Sequence, residues 1–334
     1  LSEAKQIAKL ASKKYPRNLL INQMEKTLYE NKKNYNEFDC GNKNHILAEI
    51  FYVIANALSN QSNYELSNFY INLAKYLNPD FSSYDSLLAE NFFILKKYNM
   101  SKEIYQRLSK IGSVYKWYAN MQIAHILDDQ IKDKEAITQL TENYESIKPN
   151  VYQTFDFANF LRNKEVYKKS IELYSEILKK INKEHLLYPK VLDRRGTAYE
   201  RIKEWELSEK DLLMSLEISP DQAYVINYLA YSWIEQGKNF NKALEMLKKA
   251  NELKKDDGYI TDSLGWALFK LDRFAEAKQY LKIAITLMPS DPIINDHFAD
   301  CLWRNNQKIQ ARYYWNYVLN LETTEKELKE NIEK

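Results

Sequence analysis

Residues 258–291 read GYITDSLGWALFKLDRFAEAKQYLKIAITLMPSD, and the order of small and large residues in this stretch decides the fold. Counted from Gly258 as position 1, small residues occupy positions 8, 20 and 27 and large residues occupy positions 7, 11 and 24: Gly265, Ala277, Ala284, Leu264, Leu268 and Leu281. Small residues let two helices approach closely, and large residues fill the space that remains. The spacing predicts two antiparallel helices, A and B, within about 34 residues.

The same pattern recurs along the chain in stretches that start near residues 48, 82, 117, 151, 189, 223 and 292. Each has a small residue at position 8: Ala55, Ala89, Ala124, Ala158, Gly196, Ala230 and Ala299. All seven prolines fall at the boundaries of the proposed helices: Pro16, Pro79, Pro149, Pro189, Pro220, Pro289 and Pro292. A proline inside a helix would cost about 3 kcal/mol. We therefore predict eight helix pairs over residues 48–325.

The two ends of the chain fit the repeat less well. Residues 1–47 are predicted to form incomplete or degenerate helices of the same type, with 2–14 a B helix whose apolar face is partly uncovered. Residues 17–30 are predicted to be an A helix, and 31–45 a degenerate B segment or a surface loop. Residues 326–334 are expected to be a capping helix or tail. Because the chain begins at Leu1 and not at methionine, we expect a fragment or a processed form.

Composition excludes several classes of protein. The 334 residues contain 48 Lys and Arg against 46 Asp and Glu, a net charge of +2, which gives no reason to expect a nucleic-acid partner. Six glycines in their positions cannot form either Gly-rich phosphate-binding loop. Two cysteines exclude a disulfide framework and a cysteine-rich metal site. The longest apolar stretch, at 50–58, is too short to span a membrane.

The repeat is that of the tetratricopeptide (TPR) family, so the predicted fold is all-α: a TPR solenoid, a right-handed superhelix of antiparallel helix pairs. Three A helices, NYLAYSW (227–233), DSLGWA (262–267) and INDHFADCLW (294–303), resemble a family of proteobacterial envelope TPR proteins of alphaproteobacterial type. This family is related to outer-membrane TPR lipoproteins that act as adaptors for a carboxy-terminal processing protease. The likeness runs over about 48–320, although Ala230 and Ala299 stand where family members usually have glycine.

The resemblance implies a scaffold whose partner is a protein or peptide, such as a periplasmic protease or its clients. It favours a periplasmic or outer-membrane-associated location. A cytoplasmic location stays open, and so does a lipid anchor upstream of Leu1.

In a TPR solenoid, positions 2, 5, 9, 12 and 13 of the A helices face the concave side. In the last three repeats, these positions supply the candidate partner-binding residues Tyr224, Asn227, Tyr231, Tyr259, Asp262, Trp266, Asp296, Asp300, Trp303 and Arg304. Aromatic rings with a few acids suit peptide capture. In the alternative interpretation, Trp266 and Trp303 are packed between repeats while the acids face water. The residues with which some TPR adaptors clamp a terminal carboxylate are missing, which argues against a chaperone tail as ligand.

His297 is the one histidine with a possible catalytic setting, because Asp296 and Asp300 lie on the same predicted helix. We favour a structural histidine between repeats, and we expect Cys301 to be a buried small hydrophobe. The sequence therefore predicts no catalytic residue, no metal and no cofactor. The predicted function is non-catalytic protein–protein interaction. An enzyme using His297 with Asp296 and Asp300, or a self-assembling scaffold, remains the alternative.

Overall fold

The computed structural model describes residues 2–30 and 38–333, and every regular element within them is an α-helix. On either side of residue 166, successive helices pair as the A and B helices of a TPR solenoid, which confirms the predicted all-α fold class. Part of the segment 31–45, predicted to be a degenerate B helix or a loop, lies outside the described residues. The helix that follows it begins at Lys43, five residues before the predicted start near 48.

The chain divides into two compact units, Leu1–Val166 (unit 1) and Tyr167–Lys334 (unit 2). The helices described in unit 1 are α1 Ser2–Lys14, α2 Leu19–Tyr29, α3 Lys43–Asn60, α4 Tyr64–Leu77, α5 Ser82–Ile94, α6 Tyr98–Leu108, α7 Ser113–Asp129, α8 Asp133–Glu145 and α9 Val151–Asn163. Those of unit 2 are α10 Tyr167–Lys180, α11 Tyr188–Arg201, α12 Trp205–Ile218, α13 Ala223–Glu235, α14 Phe240–Leu253, α15 Gly258–Lys270, α16 Phe274–Leu287, α17 Pro292–Arg304, α18 Lys308–Asn320 and α19 Lys326–Glu333. The boundary falls inside the predicted repeat 151–188, whereas the sequence indicated an uninterrupted array.

A left-handed residue stands in the turn between the A and B helices of each repeat. Counted from the starts given above, it is always position 15, with φ between 57° and 67°: Ser62, Lys96, Ile131, Glu165, Lys203, Gly237, Asp272 and Asn306. The next residue then donates its N–H to a carbonyl five residues back, as Arg273 does to Leu268 at 2.9 Å. This bond satisfies a carbonyl that the ending helix leaves free, and it reverses the chain.

The small residues predicted at the helix contacts are buried. Ala230, Ala243, Ala277, Ala284 and Ala299 of unit 2 have no exposed surface. N-cap aspartates fix the start of two A helices, since Asp257 and Asp291 each accept backbone N–H bonds from the first turn that follows. The A helices α15 and α17 therefore begin at defined residues and are held in place by close packing.

Gly265 lies where α15 meets α16, and we expect that Gly265→Ala lowers the free energy of unfolding by about 1 kcal/mol. A Cβ at this position would lie 2.7 Å from Leu281 Cγ and 3.1 Å from the Leu281 backbone nitrogen. Overpacking of this kind costs about 1–3 kcal/mol, and the better helix propensity of alanine returns only about 1 kcal/mol. Urea unfolding followed by circular dichroism measures the difference. A variant as stable as the wild type would show that Leu281 moves aside.

The N-terminal hairpin, defined as α1, α2 and the linker 15–18, packs mainly on α7. The sequence predicted helices at both places but gave no sign of this partner. Ile7 and Leu10 on α1 are more than half exposed, so the apolar face of this helix is partly uncovered. In α1 and α2, Ala8 alone is buried among the described residues. The hairpin is therefore joined to unit 1 by few contacts.

Candidate partner-binding surfaces

Two tyrosines project from the start of successive A helices in unit 2. Tyr224 on α13 is 57% exposed and Tyr259 on α15 is 55% exposed. The hydroxyl of Tyr224 donates to Oδ2 of Asp257 at 2.9 Å, and Lys254 Nζ lies 4.8 Å from the centre of its ring. Partial burial, together with the charge and hydrogen bond of Asp291, raises the pKa of Tyr259. The exposed ring of Tyr224 is thus tethered at its hydroxyl by the N-cap aspartate of the following A helix.

Asp262 is buried, which corrects the expectation that it faces the partner. It is only 5% exposed, and its Oδ2 lies 2.9 Å from Nδ1 of His297, which is 7% exposed. Burial acts to lower the pKa of His297, but Asp262, with Asp296 and Asp300, outweighs it and the pKa is raised. The partner of His297 is therefore an aspartate of the preceding A helix. Its burial fits the structural role favoured from the sequence.

Trp266 is also buried, at 7% exposed. Its ring stacks on Phe269, at 4.8 Å between ring centres, and on His297, at 3.9 Å. Its Nε1 donates to Oε1 of Glu235 on α13 at 2.8 Å. Trp266 therefore packs between repeats, which was the alternative interpretation of this residue, and it does not offer its ring to a partner.

The acids of the last A helix are half-buried. Burial and the neighbouring charge of Asp296 raise the pKa of Asp300 to about 6, against the opposing effects of His297, Lys270 and a hydrogen bond from Trp315. Burial likewise raises the pKa of Asp296. Both carboxyl groups are thus partly desolvated in the folded protein.

The remaining predicted residues line the same side of unit 2 to different depths. Trp303 is half-buried beside Trp315, at 5.5 Å between ring centres, and Lys308 Nζ lies 5.0 Å from its ring. Arg304 is exposed and donates to Asp272 at 3.3 Å.

Asn227 and Tyr231 on α13 are half-buried. Burial, followed by the charges of Glu235 and Asp262, raises the pKa of Tyr231. The exposed part of the predicted set is therefore Tyr224, Tyr259 and Arg304, with partial exposure at Asn227, Tyr231, Asp296, Asp300 and Trp303.

A second surface in unit 1 was missed from the sequence. A cavity of about 870 Å³ opens along the A helices α5, α7 and α9, and the linker of the N-terminal hairpin forms one of its walls. Its lining includes Glu90, Tyr118, His125, Tyr152 and Asp156. Tyr118, His125 and Tyr152 occupy positions 2, 9 and 2 of their repeats, so applying the positional rule to the early repeats would have found this surface.

We next consider the buried cysteine, metal-binding groups and membrane-spanning helices in the described parts of the chain. Cys301 is fully buried, as expected, and burial raises the pKa of its thiol to about 11. Residues 2–30 and 38–333 contain no group of three or more His, Cys, Asp or Glu side chains placed to hold a metal ion. Over the same residues, no helix is both long and apolar enough to cross a membrane.

Comparison with known proteins identifies the repeat. Residues 263–291 match the family model described as Tetratricopeptide repeat. The TPR repeat-containing protein PA4667 of Pseudomonas aeruginosa is 29% identical over 137 residues, which are 41% of this chain. The match spans 22% of that relative's length. Residues 263–291 are therefore a tetratricopeptide repeat in sequence as well as in fold.

Several solved structures are also similar. MamA from Desulfovibrio magneticus RS-1 is 13% identical, with a TM-score of 0.45, over 53% of this chain and 97% of its own. YrrB, described as a TPR protein with an unusual peptide-binding site, is 14% identical, with a TM-score of 0.43, over 58% of this chain and 96% of its own. PilF of Pseudomonas aeruginosa is 15% identical, with a TM-score of 0.46, over 53% of this chain and 79% of its own.

Proposed function

We propose that this chain is a non-catalytic scaffold that binds a protein or peptide partner on the A-helix face of unit 2. This face is the side of α13, α15 and α17 that carries repeat positions 2, 5, 9, 12 and 13. The observation that carries the proposal is the pair Tyr224 and Tyr259, more than half exposed at the same position of successive repeats. Tyrosine offers a large contact area at a small loss of side-chain entropy, and it is enriched at binding hot spots.

The tethered hydroxyl of Tyr224 supports this role. Because the Tyr224 hydroxyl is bound to Asp257, its ring is held in one orientation before a partner arrives. Pre-organisation of this kind reduces the entropy that binding must overcome. Asp296, Asp300, Trp303 and Arg304 extend the surface towards α17, whereas the buried Asp262 and Trp266 position it from beneath.

The resemblance of the A-helix sequences to envelope TPR proteins suggests the kind of partner. We propose an adaptor role in which the partner is a periplasmic protease or one of its clients, with the chain periplasmic or associated with the outer membrane. The two acids of α17 would favour a segment that presents a basic or amide group.

The proposal is tested by replacing both exposed tyrosines in one variant, Tyr224→Ala with Tyr259→Ala. We expect recovery of the partner from envelope extract to fall at least about tenfold, since each hot-spot residue contributes more than 1 kcal/mol. Quantitative mass spectrometry of pull-downs measures the recovery, and thermal unfolding checks that the variant is folded.

The matched control removes two exposed tyrosines from B helices, Tyr76 on α4 and Tyr313 on α18. This control is expected to recover the same proteins as the wild type. Equal recovery by all three proteins would place the partner site elsewhere, and a loss in the control alone would move it to the B-helix side.

A further inference from the structure

The linker of the N-terminal hairpin places an arginine on α9 of unit 1. Arg17 Nη1 and Nη2 donate to the two carboxylate oxygens of Asp156, at 3.1 Å and 2.8 Å. Its guanidinium carbon lies 5.7 Å from the centre of the Tyr152 ring. Proteins recognise an arginine side chain by bidentate hydrogen bonds to a carboxylate and by a cation–π contact with an aromatic ring.

When Arg17 leaves the cavity beside this pair, the charged side chains that remain there are acidic. Besides tyrosines, the titratable side chains that line it are Glu90, Asp156, Arg17 and His125. Burial and the positive charge of Lys164 lower the pKa of His125, against the opposing effect of Asp156, so this ring favours its neutral form. Without Arg17, two carboxylates would face the cavity, and this charge selects a cationic ligand.

The hairpin that supplies Arg17 is weakly attached. The ion pair is partly open to water, with 56% of the Arg17 side chain and 25% of the Asp156 side chain exposed, and such pairs stabilise little. A second contact is the bond from the Val114 backbone N–H to Oε1 of Gln23, at 3.1 Å. Gln23 approaches the backbone closely because residue 112 is glycine, where a Cβ would lie 2.3 Å from the Gln23 side chain.

We propose that the N-terminal hairpin is a built-in competitor for the unit 1 cavity. Arg17 fills a subsite, formed by Asp156 and Tyr152, that takes an arginine side chain of a partner peptide when the hairpin detaches. This site is separate from the unit 2 surface of the proposed function. The apparent affinity of the cavity for a peptide is its intrinsic affinity multiplied by the fraction of molecules in which the hairpin is detached. Release of the hairpin therefore regulates binding.

The probe is a fluorescent peptide with the sequence of residues 12–24, SKKYPRNLLINQM, and its binding to the full chain is measured by fluorescence anisotropy. We expect Arg17→Ala in the protein to tighten binding about two- to fivefold relative to the wild type, because loss of a partly exposed ion pair weakens the competitor by a small amount. Gly112→Ala should tighten it as well, since the new methyl group displaces Gln23 and leaves Asp156 intact. Hydrogen exchange of residues 2–29 should rise in both variants.

Two changes should abolish the gain: Asp156→Asn in the Arg17→Ala protein, and alanine in place of arginine in the peptide. Arg107→Ala is the matched control, because its side chain is also 56% exposed and also pairs with an aspartate of unit 1. This variant should bind the peptide as the wild type does. The proposal is wrong if the peptide binds wild type and Arg17→Ala equally, binds neither, or binds without Asp156. It is also wrong if light scattering shows that the Arg17→Ala protein dimerises and this protein does not bind the peptide.

Discussion

Replacing Asp262 with alanine is expected to lower the free energy of unfolding by about 3 kcal/mol, because it removes one member of a buried pair. His297 would keep its place under Trp266 while losing the carboxylate that lies 2.9 Å from its Nδ1. A buried polar group left without its partner retains the full penalty of leaving water. Urea unfolding at pH 6, followed by circular dichroism, measures the loss.

Asp296→Ala is the matched control, since Asp296 occupies the same position 5 in the next repeat. It is half-buried, and burial raises its pKa, so its charge already destabilises the folded state. We expect this variant to be as stable as the wild type or slightly more stable. Equal losses in the two variants would show that the pairing with His297 is not what holds Asp262 in place.

The pH dependence of the Asp262 effect follows from the raised pKa of His297. When the pKa of a histidine is higher in the folded state, its protonation stabilises that state. This contribution is complete at pH values below the ordinary pKa, here 6.5, and it is lost as the pH rises through the pKa of the folded state. The gap in stability between wild type and Asp262→Ala should therefore be larger at pH 6 than at pH 9.

The helix pairs could be predicted from the sequence because a small residue at position 8 allows the A and B helices to pack closely in every repeat. Gly265 and Ala299 are buried at a helix contact whatever surrounds the repeat. The exposure of position 5 could not be predicted in this way. Asp262 is covered because the next repeat presents a histidine ring to it, whereas Asp296 has Trp315 of its own repeat beside it. Burial at this position depends on the neighbouring side chain and not on the repeat pattern.

The placement of the N-terminal hairpin shows a second limit of sequence patterns. Local periodicity predicts α1 and α2, since helix formation depends on nearby residues. Their docking on α7 and α9 depends on pairs that lie far apart in the chain, Gln23 with Val114 and Arg17 with Asp156. Single-sequence patterns carry no information on such pairs. The wall that the linker adds to the unit 1 cavity could therefore not be predicted, whereas the positional rule could have found the A-helix side of the cavity.

Asp300 is a carboxyl group that the folded state holds in an unfavourable charged form at neutral pH. Burial and the neighbouring Asp296 raise its pKa from 3.8 to about 6, while His297, Lys270 and Trp315 act in the opposite direction. The folded state thus binds the proton more tightly than the unfolded chain does. Stability contributed by this group is present at low pH and is lost as pH rises between these two values.

Asp300→Asn is therefore expected to stabilise the protein at pH 7.5 by about 2 kcal/mol, allowing for partial exposure of the carboxyl to water. At pH 4.5 the gain should shrink to about one third, because Asp300 of the wild type is then mostly protonated in the folded state. Thermal unfolding of both proteins at the two pH values measures the difference. Asp256→Asn, which neutralises an exposed aspartate of the same unit, should give no gain at either pH. A gain of equal size at both pH values would contradict the assignment, because an amide that merely packs better stabilises the fold without regard to protonation.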